Sequence, residues 1–208
     1  MKSLALYLRD KVPTDVFSGV ELMHLLGGTA NRRYALVKRS LASGELIQIR
    51  RGLYCFSKVL QRSSLNTFEI AQKIYFPSYV SMESALSQHG FIPERVYTTT
   101  SSGFKRSKEF ETPIGHFSFT HIPKFSFLGV DRMEDGKTVY LMASPTRALA
   151  DYIVAHKIDL NPLQLRESLR IETESWSDLS VKLMVEIAEE SQSLRLRKFA
   201  KSLKRDLL

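Results

Sequence analysis

A single cysteine, Cys55, stands in a chain of 208 residues, so no internal disulfide can form and no cysteine cluster is present to hold zinc. No apolar run approaches the roughly 18–20 residues that a membrane helix needs. The opening, Met1-Lys2-Ser3-Leu4-Ala5-Leu6-Tyr7-Leu8-Arg9-Asp10, meets charge too soon for a signal peptide. Internal repeats and low-complexity segments are also missing. These absences predict a reduced, cytoplasmic protein with no membrane partner. Hydrophobic residues make up 43% of the chain and charged residues 25%, which excludes a disordered, collagen-like or disulfide-stapled protein. The length suits one large domain or two small ones.

Acidic residues are the scarcer sign, and the net charge is +8, so an anionic partner is expected. The surplus is uneven. Residues 1–60 hold ten Lys/Arg against four Asp/Glu, a balance of +6. Residues 151–190 hold four basic groups and nine acidic ones, whereas residues 191–208 hold six basic and one acidic. Basic charge therefore gathers at the two ends of the chain.

Near the start, Leu4, Leu8 and Val12 recur at helical spacing and predict a helix that stops at Pro13. Ser18 followed by Glu21 forms a capping box that opens a short helix closed by Gly27-Gly28. Thr29 caps a second helix over Ala30–Ser43, and Gly44 stands at the usual left-handed stop. Two apolar stretches, Leu46–Ile49 and Leu53–Phe56, flank Arg50-Arg51-Gly52 and predict a hairpin with a basic tip.

Helix, helix, tight turn, helix and basic hairpin is the order of a winged helix-turn-helix. On the second helix of the pair, Ala35, Leu36 and Leu41 are expected to face the core. Thr29, Asn31, Arg32, Arg33, Lys38 and Arg39 are left for a DNA groove, because Asn and Arg make bidentate contacts with adenine and guanine edges. Arg50 and Arg51 on the wing are placed to meet phosphate or the minor groove. The acidic residues of this region, Asp10, Asp15, Glu21 and Glu45, fall outside both elements.

Residues 57–67 predict a linker or loop, after which Thr67 caps a helix ended by Pro77. Ser81 and Glu83 predict a second cap, for a helix that closes at Gly90. Three strands are expected at Val96–Thr100, Gly115–Ile122 and Lys137–Met142, the last preceded by an Asp135-Gly136 turn. Ser144-Pro145 starts a helix with Leu149, Tyr152 and Ile153 on its apolar face. Leu179, Leu183, Met184, Ile187, Ala188, Ser191 and Leu194 keep helical spacing toward a basic tail.

The stretch Tyr79-Val80-Ser81-Met82-Glu83-Ser84-Ala85-Leu86-Ser87-Gln88-His89-Gly90-Phe91-Ile92-Pro93-Glu94 resembles the signature of the AbiEi-type antitoxins of bacterial type IV toxin–antitoxin, or abortive-infection, phage-defence systems. Thr98-Thr99-Thr100, Thr112–Phe119, Ala143–Asp151 and the Gly52-Leu53-Tyr54 wing agree in order, so the resemblance spans roughly residues 15–155. It implies a winged-helix transcriptional repressor that binds repeats in double-stranded operator DNA. It also implies a C-terminal part that counteracts a nucleotidyltransferase-like toxin, in many systems without a stable complex. By this similarity Asn31, Arg32, Arg33, Lys38 and Arg39 read the operator and Arg50 and Arg51 are wing contacts. The family often has Glu-Lys where Thr146-Arg147 stands here, and the last fifty residues match nothing in it.

Signals for chemistry are weak. Asp135-Gly136-Lys137-Thr138 contains a Gly-Lys-Thr, but Asp131 stands where a phosphate loop needs glycine, so a turn is expected. His116 and His121 are five apart in a strand pattern and point to opposite faces. Cys55 has no nearby base, and helix capping accounts for Ser81 and Glu83 near His89 without catalysis. The signature from Tyr79 to Glu94 is either the core of the C-terminal domain or a functional surface. No catalytic residue, metal or cofactor is expected.

The fold class expected is α+β: an N-terminal winged helix-turn-helix domain over residues 1–60 and a C-terminal mixed α/β antitoxin domain over 61–208, with a small sheet and a basic tail. The function expected is a DNA-binding antitoxin. The alternative is a nuclease or phosphoryl-transfer enzyme with a DNA-docking head. A third possibility has the tail, with Arg195, Arg197, Lys198, Lys201, Lys204 and Arg205, binding a partner or RNA.

Overall fold

The computed structural model describes residues 3–124, 126–136 and 138–207. The first part of the chain runs α1 (Leu4–Arg9), β1 (Val16–Ser18), α2 (Gly19–Leu25), α3 (Ala30–Ala42), β2 (Leu46–Arg50) and β3 (Leu53–Phe56). Its three strands form an antiparallel sheet in the order β1-β3-β2. Local chemistry sets each boundary. Ser3 accepts a hydrogen bond from the Leu6 N–H, and α1 stops at Asp10, before Pro13 is reached. Ser18 and Glu21 form the reciprocal capping box at the start of α2, and Thr29 accepts the Arg32 N–H at the start of α3.

The rest of the chain adds α4 (Thr67–Ile74), β4 (Ser78–Val80), α5 (Met82–Gln88), β5 (Thr98–Gly103), β6 (Lys108–Thr112), β7 (Gly115–His121), β8 (Val130–Asp135) and β9 (Thr138–Ala143). Five helices complete it: α6 (Pro145–Ala155), α7 (Pro162–Ser168), α8 (Thr173–Ser177), α9 (Val181–Ser191) and α10 (Leu194–Leu207). The six strands form one mixed sheet in the order β6-β7-β5-β4-β9-β8, with β5–β7 and β4–β9 parallel. The architecture is α+β, and this sheet is larger than the small one expected. Four strands had not been foreseen. β1 and β4 are too short, at three residues each, to display a period, while β6 and β8 are polar edge strands without an apolar face.

Other expectations shift for local reasons. Asn66, one residue before Thr67, is the cap of α4, because its carboxamide accepts both the Phe68 and Glu69 N–H groups. The strand expected at Val96–Thr100 instead runs Thr98–Gly103. The long helical pattern from Leu179 breaks into α9 and α10 at Gln192, whose left-handed φ of 54° ends the first helix. Asp135 ends β8 and pairs with Thr138 of β9, with Gly136 following it in the turn, while Lys137 falls outside the described residues.

Three apolar clusters hold the molecule. One joins α1, Leu22, Leu26, Leu46 and Phe56 within the first part. The largest joins β4, α5, β9 and the helices from α6 onward, and includes Leu149, Trp176, Met184 and Phe199. The third unites Val16, Ile49, Leu53 and Cys55 with Ile70, Ala71 and Ile74 of α4 and with Phe117 and Phe119 of β7. The first fifty-six residues thus share a core with one face of the six-stranded sheet. The loop between them is anchored as well. Asp15, buried, accepts the Arg62 Nη1 at 3.1 Å and the Arg62 backbone N–H at 2.7 Å, and Arg62 also donates to the carbonyls of Arg9 and Val12. Removing Arg62 leaves a buried carboxylate short of partners. Arg62→Ala is therefore expected to cost about 2 kcal/mol in a denaturant titration, and cleavage of the 57–66 loop by a protease should quicken.

The other face of the sheet is polar at its centre. Ser101 pairs with Phe119 on the face that meets α4, so the adjacent Ser102 points the opposite way, toward α6. There the Asp151 Oδ2 accepts three hydroxyls: Tyr79 at 2.8 Å, Ser81 at 2.7 Å and Ser102 at 2.7 Å. Its Oδ1 accepts the Arg147 Nε at 2.9 Å, and the Arg147 Nη1 donates to the Leu128 carbonyl and the Ser126 hydroxyl. Ser81 does stand at the N-cap position of α5, as expected, but its hydroxyl does not cap the helix. Its side chain makes no cap bond, because the buried carboxylate takes the hydroxyl.

Candidate nucleic-acid interface

α3 packs on the first part through one side only. At about 100° per residue, Arg33, Leu36, Val37, Ser40 and Leu41 turn inward, and of these Ser40 alone is buried while the rest are half-buried. Ala35 does not face the core as expected. It lies on the outer stripe with Asn31, Lys38 and Ala42, all exposed. The helix thus offers a long outer face whose centre is small or polar. Arg32 and Arg39 border it on one side, and Tyr34 borders it on the other.

The expected residues divide into two sets. Arg33 and Lys38 of α3 line a groove together with Arg51 of the hairpin turn, Gln48 of β2 and Val20 and Met23 of α2. The groove is open, with a volume of about 800 Å³. The turn is held over it because the Gly19 N–H at the start of α2 donates to the Gly52 carbonyl at 2.8 Å. Gly52 itself has a φ of +79°, a conformation only glycine adopts without strain. Asn31, Arg32 and Arg39 lie outside the groove, on the outer and far side of the helix. Arg50 diverges from Arg51: its Nη2 reaches the Lys73 carbonyl at the end of α4, 3.4 Å away.

Several cations are already oriented. The Arg33 Nη1 donates to the Gly28 carbonyl at 2.6 Å, which holds the side chain against the turn before α3. Arg32 lies over Gly28, so that a Cβ there would come within 3.0 Å of the Arg32 Cδ. Gly28 also has a φ of +92° and is fixed as glycine on both counts. Thr29 is spent on its cap. No carboxylate pairs with Arg32, Arg33, Lys38, Arg39 or Arg51 among the described residues.

One residue was missed. Tyr34 is 70% exposed on the rim of the groove, with Met23 at 54% and Val20 at 56% beside it. An aromatic ring one turn before Lys38 was the available signal, since an exposed apolar residue on a basic helix suits contact with thymine methyls or sugars.

The motifs that carry the resemblance lie elsewhere. Tyr79 and Ser81 from the central stretch meet Arg147 and Asp151 from the later one, and all four side chains are buried. Burial and the Asp151 charge raise Tyr79 far above its ordinary value, although the Arg147 guanidinium opposes this. Arg147 itself is raised: burial works against its charge and the Asp151 carboxylate outweighs that. Glu83 is half-buried and accepts from the His156 Nε2 at 3.0 Å through its Oε1. Among the described residues no group of three histidine, cysteine, aspartate or glutamate side chains is placed to hold a metal, and no helix is long and apolar enough to cross a membrane.

Cys55 is packed into the shared core. Burial first, and the Asp15 charge second, push its thiol from 9.0 up to about 11. A thiol reagent at pH 8 is thus expected to label the chain only as fast as it unfolds. Stability should also fall between about pH 9 and pH 11, where the unfolded thiol has lost its proton and the folded one keeps it. Both are read by labelling and by denaturant titration across that range.

Comparison with models of known families and with curated proteins finds no match to this chain.

Proposed function

We propose that this chain is a DNA-binding antitoxin that represses its own toxin–antitoxin operon and counteracts a nucleotidyltransferase-like toxin. The observation that carries the DNA half is the convergence of Arg33, Tyr34 and Lys38 of α3 with Arg51 of the hairpin turn around one groove, beside a long exposed helix face. The order α1-β1-α2-α3-β2-β3 with the sheet order β1-β3-β2 supports reading the first part as a winged helix. In that reading α3 is the recognition helix and β2–β3 the wing. Asn31, Arg33 and Lys38 reach base edges, Arg32 and Arg39 take phosphates along one strand, and Arg51 takes the other side. The antitoxin half rests on the resemblance of residues 79–94 and 143–151 to that family.

Two readouts in cells test the halves separately. A reporter placed behind the DNA upstream of the gene should fall in output when the full chain is supplied, and recover with Asn31→Ala/Arg33→Ala. Growth arrested by a nucleotidyltransferase-like toxin encoded beside the gene should be restored by the full chain and equally by that variant. Failure to restore growth contradicts the antitoxin half, and unchanged reporter output contradicts the repressor half.

A further inference from the structure

The densest concentration of one charge sits on α10, which the DNA reading above does not use. The inner face of this helix, Leu196, Phe199, Ala200 and Leu203, is buried in the largest apolar cluster. Arg197, Lys198, Lys201, Lys204 and Arg205 fall on the opposite side and are all exposed. At 1.5 Å per residue they span about 12 Å. None of the five pairs with a carboxylate among the described residues. Asp159 feels the Lys198 charge, but no carboxylate among the described residues forms an ion pair with the ridge. Asp159 is taken by the Arg195 Nε at 2.8 Å and Nη2 at 3.2 Å, and Asp206 lies off the ridge on the side of the helix. Like charges three and four residues apart weaken a helix by a few tenths of a kcal/mol per pair, so the ridge is tolerated rather than favoured by the fold.

We propose that this ridge binds the phosphate backbone of nucleic acid without sequence preference, as a second surface distinct from the α3 groove. Charge complementarity points to a polyanion, since a duplex presents one negative charge per ~1.7 Å of its axis. A membrane surface fits less well, because the apolar face that would insert is already consumed by the core. Position makes the surface separate. The first part of the chain meets the face of the six-stranded sheet that carries Phe117 and Phe119. α10 instead packs on α6, α7 and α9, on the side of Ser102 and Asp151. The ridge therefore engages a segment of nucleic acid separate from any held by α3. The inference stands whether or not α3 reads an operator.

The test uses the full chain and a random-sequence duplex of about two helical turns. Three forms are compared: wild type, the ridge variant Arg197→Gln/Lys198→Gln/Lys201→Gln/Lys204→Gln/Arg205→Gln, and a head variant Arg32→Ala/Arg33→Ala/Arg51→Ala. The ridge substitutions should weaken binding at 100 mM salt at least tenfold and lower the slope of log affinity against log salt by about 3–4, at ≈ 0.9 per phosphate contact. The head variant should keep that ridge-dependent component. Lysine acetylation of the wild type provides a measurement that needs no variant: Lys198, Lys201 and Lys204 should be protected by saturating duplex. Unprotected lysines, an unchanged salt slope, or ridge-dependent binding to vesicles rich in phosphatidylserine but not to duplex would each overturn the proposal. Loss of preference for the upstream DNA with the ridge result intact would instead count against the operator reading alone.

Discussion

Asp151→Asn is expected to remove about 3–5 kcal/mol of folding stability. One carboxylate oxygen accepts the hydroxyls of Tyr79, Ser81 and Ser102, and the other accepts the Arg147 Nε, all beneath the surface. Asparagine preserves the shape and removes the charge, so Arg147 stays buried without its counter-ion while an amide N–H₂ faces hydroxyls or the guanidinium. In a chain of this size that loss corresponds to a fall in melting temperature of roughly 6–20 °C. Arg147→Lys should be only partly tolerated, because a lysine cannot supply the Nε and Nη1 donors in their fixed fork to Asp151, Ser126 and Leu128. Urea titrations of the wild type and both variants check this. A loss below about 1 kcal/mol for Asp151→Asn would mean that water reaches the pair and that the two motifs do not depend on one another.

The second large effect is on DNA. Asn31→Ala/Arg33→Ala/Lys38→Ala should abolish most of the preference for the upstream duplex, since each base contact contributes about 1–3 kcal/mol of discrimination. Arg51→Ala should behave differently: affinity falls alike for native and scrambled duplexes, and the salt slope drops by about 1. Tyr34→Ala is expected to weaken native-duplex binding without touching the salt slope, because its ring carries no charge. The three outcomes separate base readout, phosphate anchoring and apolar contact on one surface. Equal losses on both duplexes from all three variants would reduce α3 to a general polyanion surface.

Much of the first part was legible because its boundaries are written in local chemistry. Ser18 with Glu21, Thr29, Gly28 and Gly44 each act within one helical turn, and the hairpin follows from two apolar stretches around Arg51-Gly52. What escaped is set by distant partners. Ser81 reads as a cap in sequence but is claimed by a carboxylate seventy residues away. Ala35 satisfies the helical period yet falls on the open side, because α3 packs along one edge only. Edge strands such as β8, with Asp131, Arg132, Glu134 and Asp135 all exposed, carry no apolar alternation to betray them. The groove itself was half visible. The cations were there to be read, but the inward turn of Arg50 toward α4 and the exposed ring of Tyr34 depend on how the hairpin and α2 are set against α3.

The resemblance motifs teach a related lesson. Conspicuous in sequence, the stretches 79–94 and 143–151 contribute buried side chains that hold the sheet to α6. The Thr146-Arg147 pair has a structural use: the Thr146 hydroxyl accepts the Ser180 N–H at 2.9 Å, and Arg147 neutralises Asp151.

The most direct test of the central claim is the affinity of the full chain for the duplex upstream of its own gene, measured beside a scrambled duplex from low to physiological salt. A repressor that reads its operator through α3 should favour the native duplex by roughly a thousandfold or more, and both affinities should fall steeply as salt rises. Equal affinity for the two duplexes across that range would contradict it.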